Sequence, residues 1–223
     1  MIQTVPRLAF WHQPIVALAS GSPVALEWLV RAEGDTTANN LWQQAAQSMR
    51  IAEYEEAILN HLADLRRAQP TPVVWHINLH PQGIVRTIMA APDQWQQWAR
   101  DLDPVVWELL EAGQWHPEDV AALAAMDQSL ALDDWGDGPG MSVRLTQWPV
   151  RWLKLDLPLI QRAVHEARAG VWVRTVQSYA ESQNITVIAE GLETRDQVNM
   201  ARELGIRYGQ GWACGLPILT GTE

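Results

Sequence analysis

Short apolar runs alternate with amphipathic stretches along this chain, and the alternation predicts strands separated by helices. Runs of the length of a buried strand predict eight strands, at Leu8–Val16, Val24–Arg31, Val73–Leu79, Val105–Leu109, Ser129–Asp133, Trp152–Asp156, Thr186–Glu190 and Arg207–Gly209. No Gly/Ser linker, low-complexity tract or fixed repeat interrupts the pattern. The pattern therefore predicts a single domain over residues 1–223.

Apolar residues at helical spacing predict the helices between these strands. The first is Asn39–Arg67 with a break near Met49, and the others are Asp93–Leu102, Glu118–Met126, Leu157–Ser182 and Thr194–Leu204. A proline ahead of two of them suits the start of a helix, and Gly205 suits the end of the last.

Eight strands with interleaved helices in 223 residues predict an α/β fold, a (β/α)8 TIM-like barrel. The alternative is a doubly wound open sheet, which would gather its polar residues at one switch point. Polar residues instead recur at the C-terminal ends of several predicted strands, where a barrel collects its active site. Only ALASGSP joins the first two strands, too short for a crossover helix, so we expect an irregular antiparallel first strand.

Composition narrows the partners and the location. The formal net charge of −10 argues against broad binding to nucleic acid or to an anionic membrane. No apolar stretch is long enough to span a bilayer, and Cys214 is the only cysteine. These features predict a cytoplasmic protein with no nucleic-acid and no membrane partner. Thirteen tryptophans against one phenylalanine indicate that Trp fills core positions where Phe is commoner.

Acids and one amide end or interrupt six apolar runs, namely ALEWL, HINL, VVWELLE, LALDD, WLKLD and VIAEGLE. The polar residues concerned are Glu27, Asn78, Glu108, Asp133, Asp134, Asp156, Glu190 and Glu193. Taken singly, each fits a solvent-facing or turn residue equally well. Their recurrence indicates one cluster, because a carboxylate at the end of a buried strand is costly unless a positive group meets it. Hard oxygen ligands of this kind suit Mg²⁺ or Mn²⁺ rather than zinc.

The single lysine, Lys154, lies inside the fifth of these runs, although the chain has 16 basic residues. Arginine meets almost every other need for positive charge. The use of lysine rather than arginine at position 154 indicates that a compact, movable ammonium is required there.

The same segments carry a resemblance to a known family. From HQPIV near the start, through LEWLVR, INLHP, ELLE, LALDDWGDG and WLKLD, to VIAEGLET and YGQGWACGLP, nearly the whole chain resembles the EAL domain. This is the phosphodiesterase family that acts on the bacterial messenger cyclic di-GMP. The last third, with AEGLETRDQ followed by LGIRYGQG, is the most specific part. The resemblance implies a barrel with its metal sites and substrate groove at the C-terminal face.

The resemblance also implies a metal site and a reaction. The residues that match the ligands of one divalent ion are Glu27, Asn78, Glu108 and Asp133. Asp133 would bridge to a second ion, held with Asp134 and Glu190. The implied cofactors are therefore two ions of Mg²⁺ or Mn²⁺, which neutralise the phosphate and activate water. The implied reaction opens cyclic di-GMP to linear pGpG.

Further roles follow from the same resemblance. Lys154 matches a lysine that holds the attacking water or the phosphate, Glu190 the general base, and Gln210 a glutamine beside the catalytic water. Gln13 and Arg31 match substrate-contacting positions, and Glu193 matches the residue that anchors the loop after the aspartate pair. A homodimer is a common assembly in the family, so it is an expected assembly here.

The chain departs from the family pattern at the loop after the aspartate pair, which reads DWGDGPGM where the family reads DFGTGYSS. Asp137 cannot donate a hydrogen bond to Glu193 and would repel it, and Pro139 stands nearby. In this family, altered loops often accompany weak catalysis or a receptor role.

Single positions also differ from the family. Trp28 replaces the alanine of the signature triplet, and we expect it to point away from the site because strand neighbours alternate. His80 replaces a serine and Leu216 an arginine. By period two, His76, Asn78 and His80 share one strand face, so His80 contacts either the metal site and phosphate or, more simply, a hydrogen-bond partner at the barrel rim.

Three functions are compatible with these observations. The first is an active metal-dependent phosphodiesterase, favoured by the intact set of ligands, lysine, base and glutamine. The second is a catalytically weak or inactive EAL-like domain that binds cyclic di-GMP or a protein partner, favoured by the altered loop. The third is an enolase-type lyase, which leaves Gln210 unexplained. We favour the phosphodiesterase.

Overall fold

The strands of the protein form a closed barrel in a computed structural model, which describes residues 5–34, 38–84, 91–109, 115–136 and 141–220. They are β1 (Leu8–Ala17), β2 (Pro23–Ala32), β3 (Val74–Leu79), β4 (Val105–Leu109), β5 (Ser129–Trp135), β6 (Trp152–Leu155), β7 (Thr186–Ala189) and β8 (Tyr208–Gly209). Strands β2 to β8 pair in parallel in chain order, and β1 closes the ring by pairing with both β8 and β2. The predicted barrel is confirmed, and its closure rules out the open sheet.

The barrel opens with an antiparallel hairpin, as predicted. Strands β1 and β2 are joined by a tight turn in which the Ala17 N–H donates to the Ser22 carbonyl at 2.9 Å. The pairing places Gln13 directly opposite Glu27. A short strand, β9 (Ile218–Leu219), pairs with Trp11 and His12 of β1. The hairpin thus brings a polar residue of β1 next to the cluster that the parallel strands build.

The described helices surround the barrel. They are α1 (Ala38–Gln47), α2 (Ile51–Ala68), α3 (Pro92–Asp101), α4 (Pro117–Ala125), α5 (Met141–Gln147), α6 (Leu157–His165), α7 (Ala167–Ser182) and α8 (Arg195–Glu203). Met49 separates α1 from α2 with φ of 55°, which confirms the predicted break. Gly205, with φ of 90°, ends α8 as predicted. No described helix is both long enough and apolar enough to cross a bilayer.

Two predictions about the helices were wrong. The single helix predicted over Leu157–Ser182 is two helices, because Glu166 has extended backbone angles of φ −119° and ψ 110°. The break lets α6 pack against both α7 and α8, which a straight helix would not allow. Helix α5 had no predicted counterpart.

Tryptophan fills much of the core, as its abundance indicated. Trp95, Trp98, Trp107 and Trp135 are fully buried, and Trp75 is nearly so. The rings of Trp95 and Trp107 lie 4.8 Å apart between α3 and β4. These large side chains fill the space between the barrel and the helices around it.

Arg66 of α2 ties together the N-terminal ends of β3 and β4. Its guanidinium donates to the carbonyls of Val73, Leu102 and Pro104 at 2.9, 3.2 and 3.0 Å, and it lies 4.2 Å from the ring centroid of Trp75. Only 4% of the residue is exposed. The barrel end opposite the polar cluster is therefore held by one buried cation.

Replacing Arg66 with methionine is expected to lower the free energy of unfolding by about 3 kcal/mol, because three carbonyls lose the hydrogen bond from a buried guanidinium. Arg67→Met is the matched control, since Arg67 is exposed and pairs with Asp64 at the surface. We expect that control to change stability by less than about 0.5 kcal/mol. Urea unfolding measures both, and equal effects of the two substitutions would contradict the role given to Arg66.

Candidate active site

Most of the predicted site residues meet at one mouth of the barrel, because the parallel strands end there. Glu27, Asn78 and Glu108 lie in β2, β3 and β4, with Asn78 in register with Glu108. The remaining strands contribute residues at or just after their C-terminal ends, namely Asp133, Lys154, Glu190 and Gln210. Positions far apart in the chain thus come into contact.

Lys154 lies at the centre of this mouth. Its Nζ is 2.8 Å from Glu190 Oε1, 2.9 Å from Glu108 Oε1, 2.9 Å from Asp133 Oδ1 and 3.3 Å from Glu27 Oε2. Only 1% of the lysine is exposed, and Glu108 is fully buried. One ammonium therefore holds four carboxylates together in a site shielded from water.

Asp134 adds a fifth carboxylate from an unusual backbone position. Its φ of 49° accompanies a register shift between Leu132 and Trp135, so β5 continues past the predicted end at Asp133 through an irregularity. This conformation lets adjacent residues face one site. Carboxylate oxygens of Asp133, Asp134 and Glu190 lie within 4.8 Å of one another.

The cluster carries excess negative charge. If every group is ionised, one ammonium faces five carboxylates and the formal charge is −4. Two divalent cations would balance that charge. The residues that create it are Glu27, Glu108, Asp133, Asp134, Glu190 and Lys154.

Burial and mutual repulsion raise the pKa of several carboxyl groups. Burial, followed by the charge of Glu27, raises the pKa of Glu108 well above its usual range. Burial also raises the pKa of Glu190, with Asp133 adding to it against the opposing charge of Lys154. Burial and Asp133 raise the pKa of Asp134 to about 6. Protons therefore supply part of the charge balance when no cation is bound.

Glu27 and Lys154 shift towards their charged forms. Burial alone would raise the pKa of Glu27, but Lys154 and hydrogen bonds from Gln210 and Asn78 outweigh it and lower that pKa. Burial alone would lower the pKa of Lys154, but the surrounding carboxylates, led by Asp133, raise it well above its usual range. The surrounding carboxylates therefore favour the charged form of the lysine.

A chain of hydrogen bonds joins Glu27 to two glutamines. Gln210 Nε2 donates to Glu27 Oε2 at 2.6 Å and to Gln13 Oε1 at 3.2 Å. Gln13 Nε2 in turn donates to the Gly215 carbonyl at 2.9 Å. Both predicted glutamines thus lie at the mouth, and the hairpin of β1 and β2 brings Gln13 there.

His76 belongs to the site although no role was predicted for it. Its Nδ1 lies 2.8 Å from Glu108 Oε1, and neither side chain is exposed. Burial and the charge of Lys154 lower the pKa of His76 to about 3, so the ring is neutral. His76 Nδ1–H donates to the ionised form of Glu108 and fixes its orientation. The sequence feature that could have predicted His76 at the site is its position two residues before Asn78, on the same strand face.

The donor set fits divalent cations with hard oxygen ligands. Asn78 Nδ2 donates to Glu27 Oε1 at 3.1 Å, whereas Asn78 Oδ1 is buried and has no hydrogen-bond partner in the described part of the chain. Gln210 Oε1 is also buried and has no hydrogen-bond partner among the described residues. Carboxylates together with uncommitted amide oxygens are the ligands that Mg²⁺ and Mn²⁺ prefer.

Two cavities flank the cluster. The larger has a volume of about 590 Å³, and its polar wall consists of Glu27, Asn78, His80, Asp133, Asp134, Lys154 and Glu190. Its apolar wall comes from helices α1 and α2, with Trp42 and Ile58, and from strands β2 and β3, with Trp28 and Ile77. The smaller, of about 260 Å³, is lined by residues that include Gln13, Glu193, Gln210 and Trp212. The larger volume is within the range of small-molecule sites.

The remaining predicted residues lie around this centre. Trp28 packs in the core with its ring 4.7 Å from that of Trp75, but it also lines the larger cavity, so the prediction that it points away from the site holds only in part. Arg31, near the end of β2, is half-buried and lines neither of these two cavities. Asp156 accepts the Leu159 N–H at 2.9 Å and caps α6. Asp156 also remains close to the cluster, because its charge helps to raise the pKa of Asp134.

Of the predicted contact between Glu193 and the loop after the aspartate pair, only Glu193 lies within the described residues. Glu193 is exposed, and its N–H donates to Gln197 Oε1 at 2.6 Å. Asp137 and Pro139, the altered loop positions, lie outside the described residues. Whether Glu193 anchors the loop therefore stays a prediction.

Glu55 of α2 supports the segment that follows β3. Its Oε1 accepts the His80 N–H at 2.7 Å, and only 2% of the residue is exposed. Burial raises the pKa of Glu55 to about 8, and the His80 N–H only partly opposes this shift. Glu55 is therefore largely protonated at neutral pH in the folded protein.

The stability of the protein is expected to fall as pH rises from about 4.5 to about 8, because the folded state holds the Glu55 proton more tightly than the unfolded chain does. That proton stabilises the fold fully below the unfolded pKa and is lost as pH rises through the folded pKa. Glu55→Gln removes the titrating group, so between pH 5 and pH 7 it should gain roughly 2 kcal/mol relative to wild type. Glu56→Gln, at the exposed neighbouring position, is the control. Parallel pH profiles of wild type and Glu55→Gln in urea unfolding would contradict the assignment.

Comparison with known proteins agrees with this geometry. The family model described as "EAL domain" matches residues 3–217. Cyclic di-GMP phosphodiesterase RocR of Pseudomonas aeruginosa is 24% identical over 93% of the chain and 57% of its own length. In seven other curated relatives, the matched part covers only 12 to 41% of the relative's own length.

Solved structures share the fold. Klebsiella pneumoniae BlrP1, in a manganese and cy-diGMP complex, superposes with a TM-score of 0.84 at 23% identity, covering 98% of this chain and 57% of that one. The PaMucR phosphodiesterase in its c-di-GMP complex gives a TM-score of 0.79 at 22% identity, covering 95% and 92%. Because the family match extends over nearly the whole chain, the protein belongs to the EAL domain family.

Proposed function

We propose that this protein is a metal-dependent phosphodiesterase that hydrolyses cyclic di-GMP to linear pGpG. The observation that carries the proposal is the cluster around the buried Lys154, whose five carboxylates exceed its one ammonium by the charge of two divalent cations. The name of RocR and the dinucleotide complexes of BlrP1 and PaMucR support the choice of substrate.

We further propose that two ions of Mg²⁺ or Mn²⁺ bind this cluster. One would be held by Glu27, Asn78, Glu108 and Asp133, and the other by Asp133, Asp134 and Glu190. When bound, the ions would neutralise the phosphodiester and make water a better nucleophile. His76 supports this arrangement because it fixes the orientation of Glu108.

The residues of the chain would carry out the proton transfer and the positioning. Water adds to phosphorus while the bond from phosphorus to a ribose oxygen breaks, and the departing oxygen takes up a proton. Glu190 accepts the proton of the attacking water, a role that suits a carboxylate whose pKa burial raises. Lys154 supplies fixed positive charge where negative charge develops. Gln210, which is itself hydrogen-bonded to Gln13, holds the carboxylate of Glu27 in position.

The proposal treats residues 1–223 as one EAL-type domain that acts in the cytoplasm on a small anionic substrate, without a nucleic-acid or membrane partner. The net charge of −10 supports the absence of an anionic polymer partner. We also propose a homodimer, which light scattering behind size exclusion would test. A monomeric mass at high protein concentration would contradict that assembly.

A turnover assay tests the proposed activity. With Mn²⁺ or Mg²⁺ present, the protein should convert cyclic di-GMP to pGpG, and EDTA should stop the reaction. The parallel measurement is a binding titration without metal. Tight binding with no linear product would favour the binding module, and neither binding nor product would contradict the proposal.

A further inference from the structure

His80 lies on the wall of the larger cavity, between the carboxylate cluster and α1. Only 6% of the residue is exposed, and its ring lies 5.3 Å from that of Trp42 at an angle of 37°. The cavity wall on one side of it is formed by Asn78, Asp133 and Asp134. The imidazole therefore faces the same space as the proposed metal ligands.

The position of His80 is fixed from several directions. Its N–H donates to Glu55 Oε1 at 2.7 Å, and its carbonyl accepts the N–H groups of Gly83 and Ile84 at 3.0 and 3.1 Å. The ring is held by Trp42 and by the Gln82 N–H, which donates to His80 Nδ1 at 3.3 Å. These contacts hold both the backbone and the ring of His80 beside the cavity.

The hydrogen bond from Gln82 also determines the tautomer. Because Nδ1 accepts a hydrogen bond, the proton of the neutral ring is on Nε2. The hydrogen bonds of His80 to described residues involve its N–H, its carbonyl and Nδ1, and none of them involves Nε2. His80 therefore presents one uncommitted N–H.

Donors of this kind are scarce on the described wall of this cavity. The carboxylates there can only accept when ionised, Lys154 is engaged by four of them, and Asn78 Nδ2 donates to Glu27. The other lining side chains with a donor are Gln43, which is exposed on α1, and the indoles of Trp28 and Trp42. An anionic substrate rich in oxygen acceptors needs a donor that the cluster does not supply.

We propose that His80 is a substrate-binding residue, whose neutral Nε2–H donates a hydrogen bond to a phosphate or ribose oxygen of the bound cyclic dinucleotide. The inference rests on the proposed function, since it takes cyclic di-GMP as the ligand of the cavity. It assigns to His80 a contribution to substrate affinity that is separate from metal binding.

Two substitutions at His80 distinguish the contributions of the two ring nitrogens. His80→Asn keeps an acceptor near the Nδ1 position for the Gln82 N–H but has no donor near Nε2. His80→Gln places an amide near Nε2 but loses the Nδ1 acceptor. Calorimetry with cyclic di-GMP and Ca²⁺ measures Kd in the absence of turnover, and a separate titration measures Mn²⁺ affinity. Thermal unfolding shows that each variant is folded.

We expect His80→Asn to raise the Kd for cyclic di-GMP about tenfold, with Mn²⁺ affinity and Tm close to those of wild type. His80→Gln should stay within about twofold of the wild-type Kd, although it is less stable. A wild-type Kd in His80→Asn, or equal losses in both variants, would overturn the role of His80 while leaving the proposed function in place. A wild-type protein that neither binds nor hydrolyses the dinucleotide would overturn both.

A measurement on the wild-type protein does not depend on the variants folding. The Nε2–H signal of His80 in a long-range nitrogen–proton spectrum, assigned by its loss in His80→Gln or His80→Asn, should move downfield when cyclic di-GMP is added in Ca²⁺. Ca²⁺ alone should leave it in place. A signal unmoved by the dinucleotide would contradict the proposal.

Discussion

Glu190→Gln is expected to lower kcat for cyclic di-GMP by a factor of about 1000, because the amide cannot accept the proton of the attacking water. Glu190 lies 2.8 Å from Lys154 and within 4.8 Å of the aspartate pair, so the isosteric change removes one negative charge without leaving a hole. Substrate affinity, measured in Ca²⁺, should change by less than about fivefold if binding depends mainly on the rest of the cluster.

The control for this prediction is Glu203→Gln, which removes the same charge from the exposed end of α8. That variant should keep the wild-type kcat and KM. Single-turnover kinetics with Mn²⁺ separates the chemical step from product release. If Glu190→Gln retains a rate within about threefold of wild type, Glu190 is not the base.

Lys154→Met is expected to destabilise the metal-free protein by about 3 kcal/mol near pH 8, because three buried carboxylates and the half-buried Glu190 lose their counter-ion. The loss should be smaller near pH 5. Removing the ammonium raises the carboxyl pKa values further, so the carboxyl groups are protonated and stabilised at low pH, and that stabilisation is lost as the pH rises through their folded-state pKa values. Added Mn²⁺ should restore much of the stability at pH 8, since cations can balance the charge that the ammonium balanced.

Thermal unfolding in EDTA and in Mn²⁺ at the two pH values measures this effect. Arg151→Met is the control, because Arg151 precedes the same strand but is exposed. Equal stability of Lys154→Met and wild type in EDTA at pH 8 would show that the ammonium does not hold the cluster together. If Mn²⁺ failed to stabilise Lys154→Met, the carboxylates of the cluster would not be a metal site.

The strands were predictable because each is a short apolar run with its own boundaries. Strand β4 begins and ends at the predicted residues, Val105 and Leu109. The end of β5 was missed by two residues, because the positive φ of Asp134 lets pairing resume at Trp135 after the irregularity. The break at Glu166 carries no Gly or Pro and follows from the packing of α6 against two helices.

The candidate site was predictable as a set of residues but not as a set of contacts. The strand-end acids and Lys154 stood out in the sequence, and the family resemblance assigned them roles. The ion pairs between Lys154 and residues as distant as Glu27 depend on closure of the barrel, which no local pattern encodes. The hydrogen bond between His76 and Glu108 depends on the register of β3 and β4.

The most direct test of the account is anomalous diffraction at the manganese edge from crystals soaked in Mn²⁺. The account predicts two manganese peaks at the barrel mouth, one beside Glu27, Asn78 and Glu108 and one beside Asp134, with Asp133 contacting both. A mouth without manganese, in which Lys154 keeps its four carboxylate contacts, would contradict the metal-dependent mechanism.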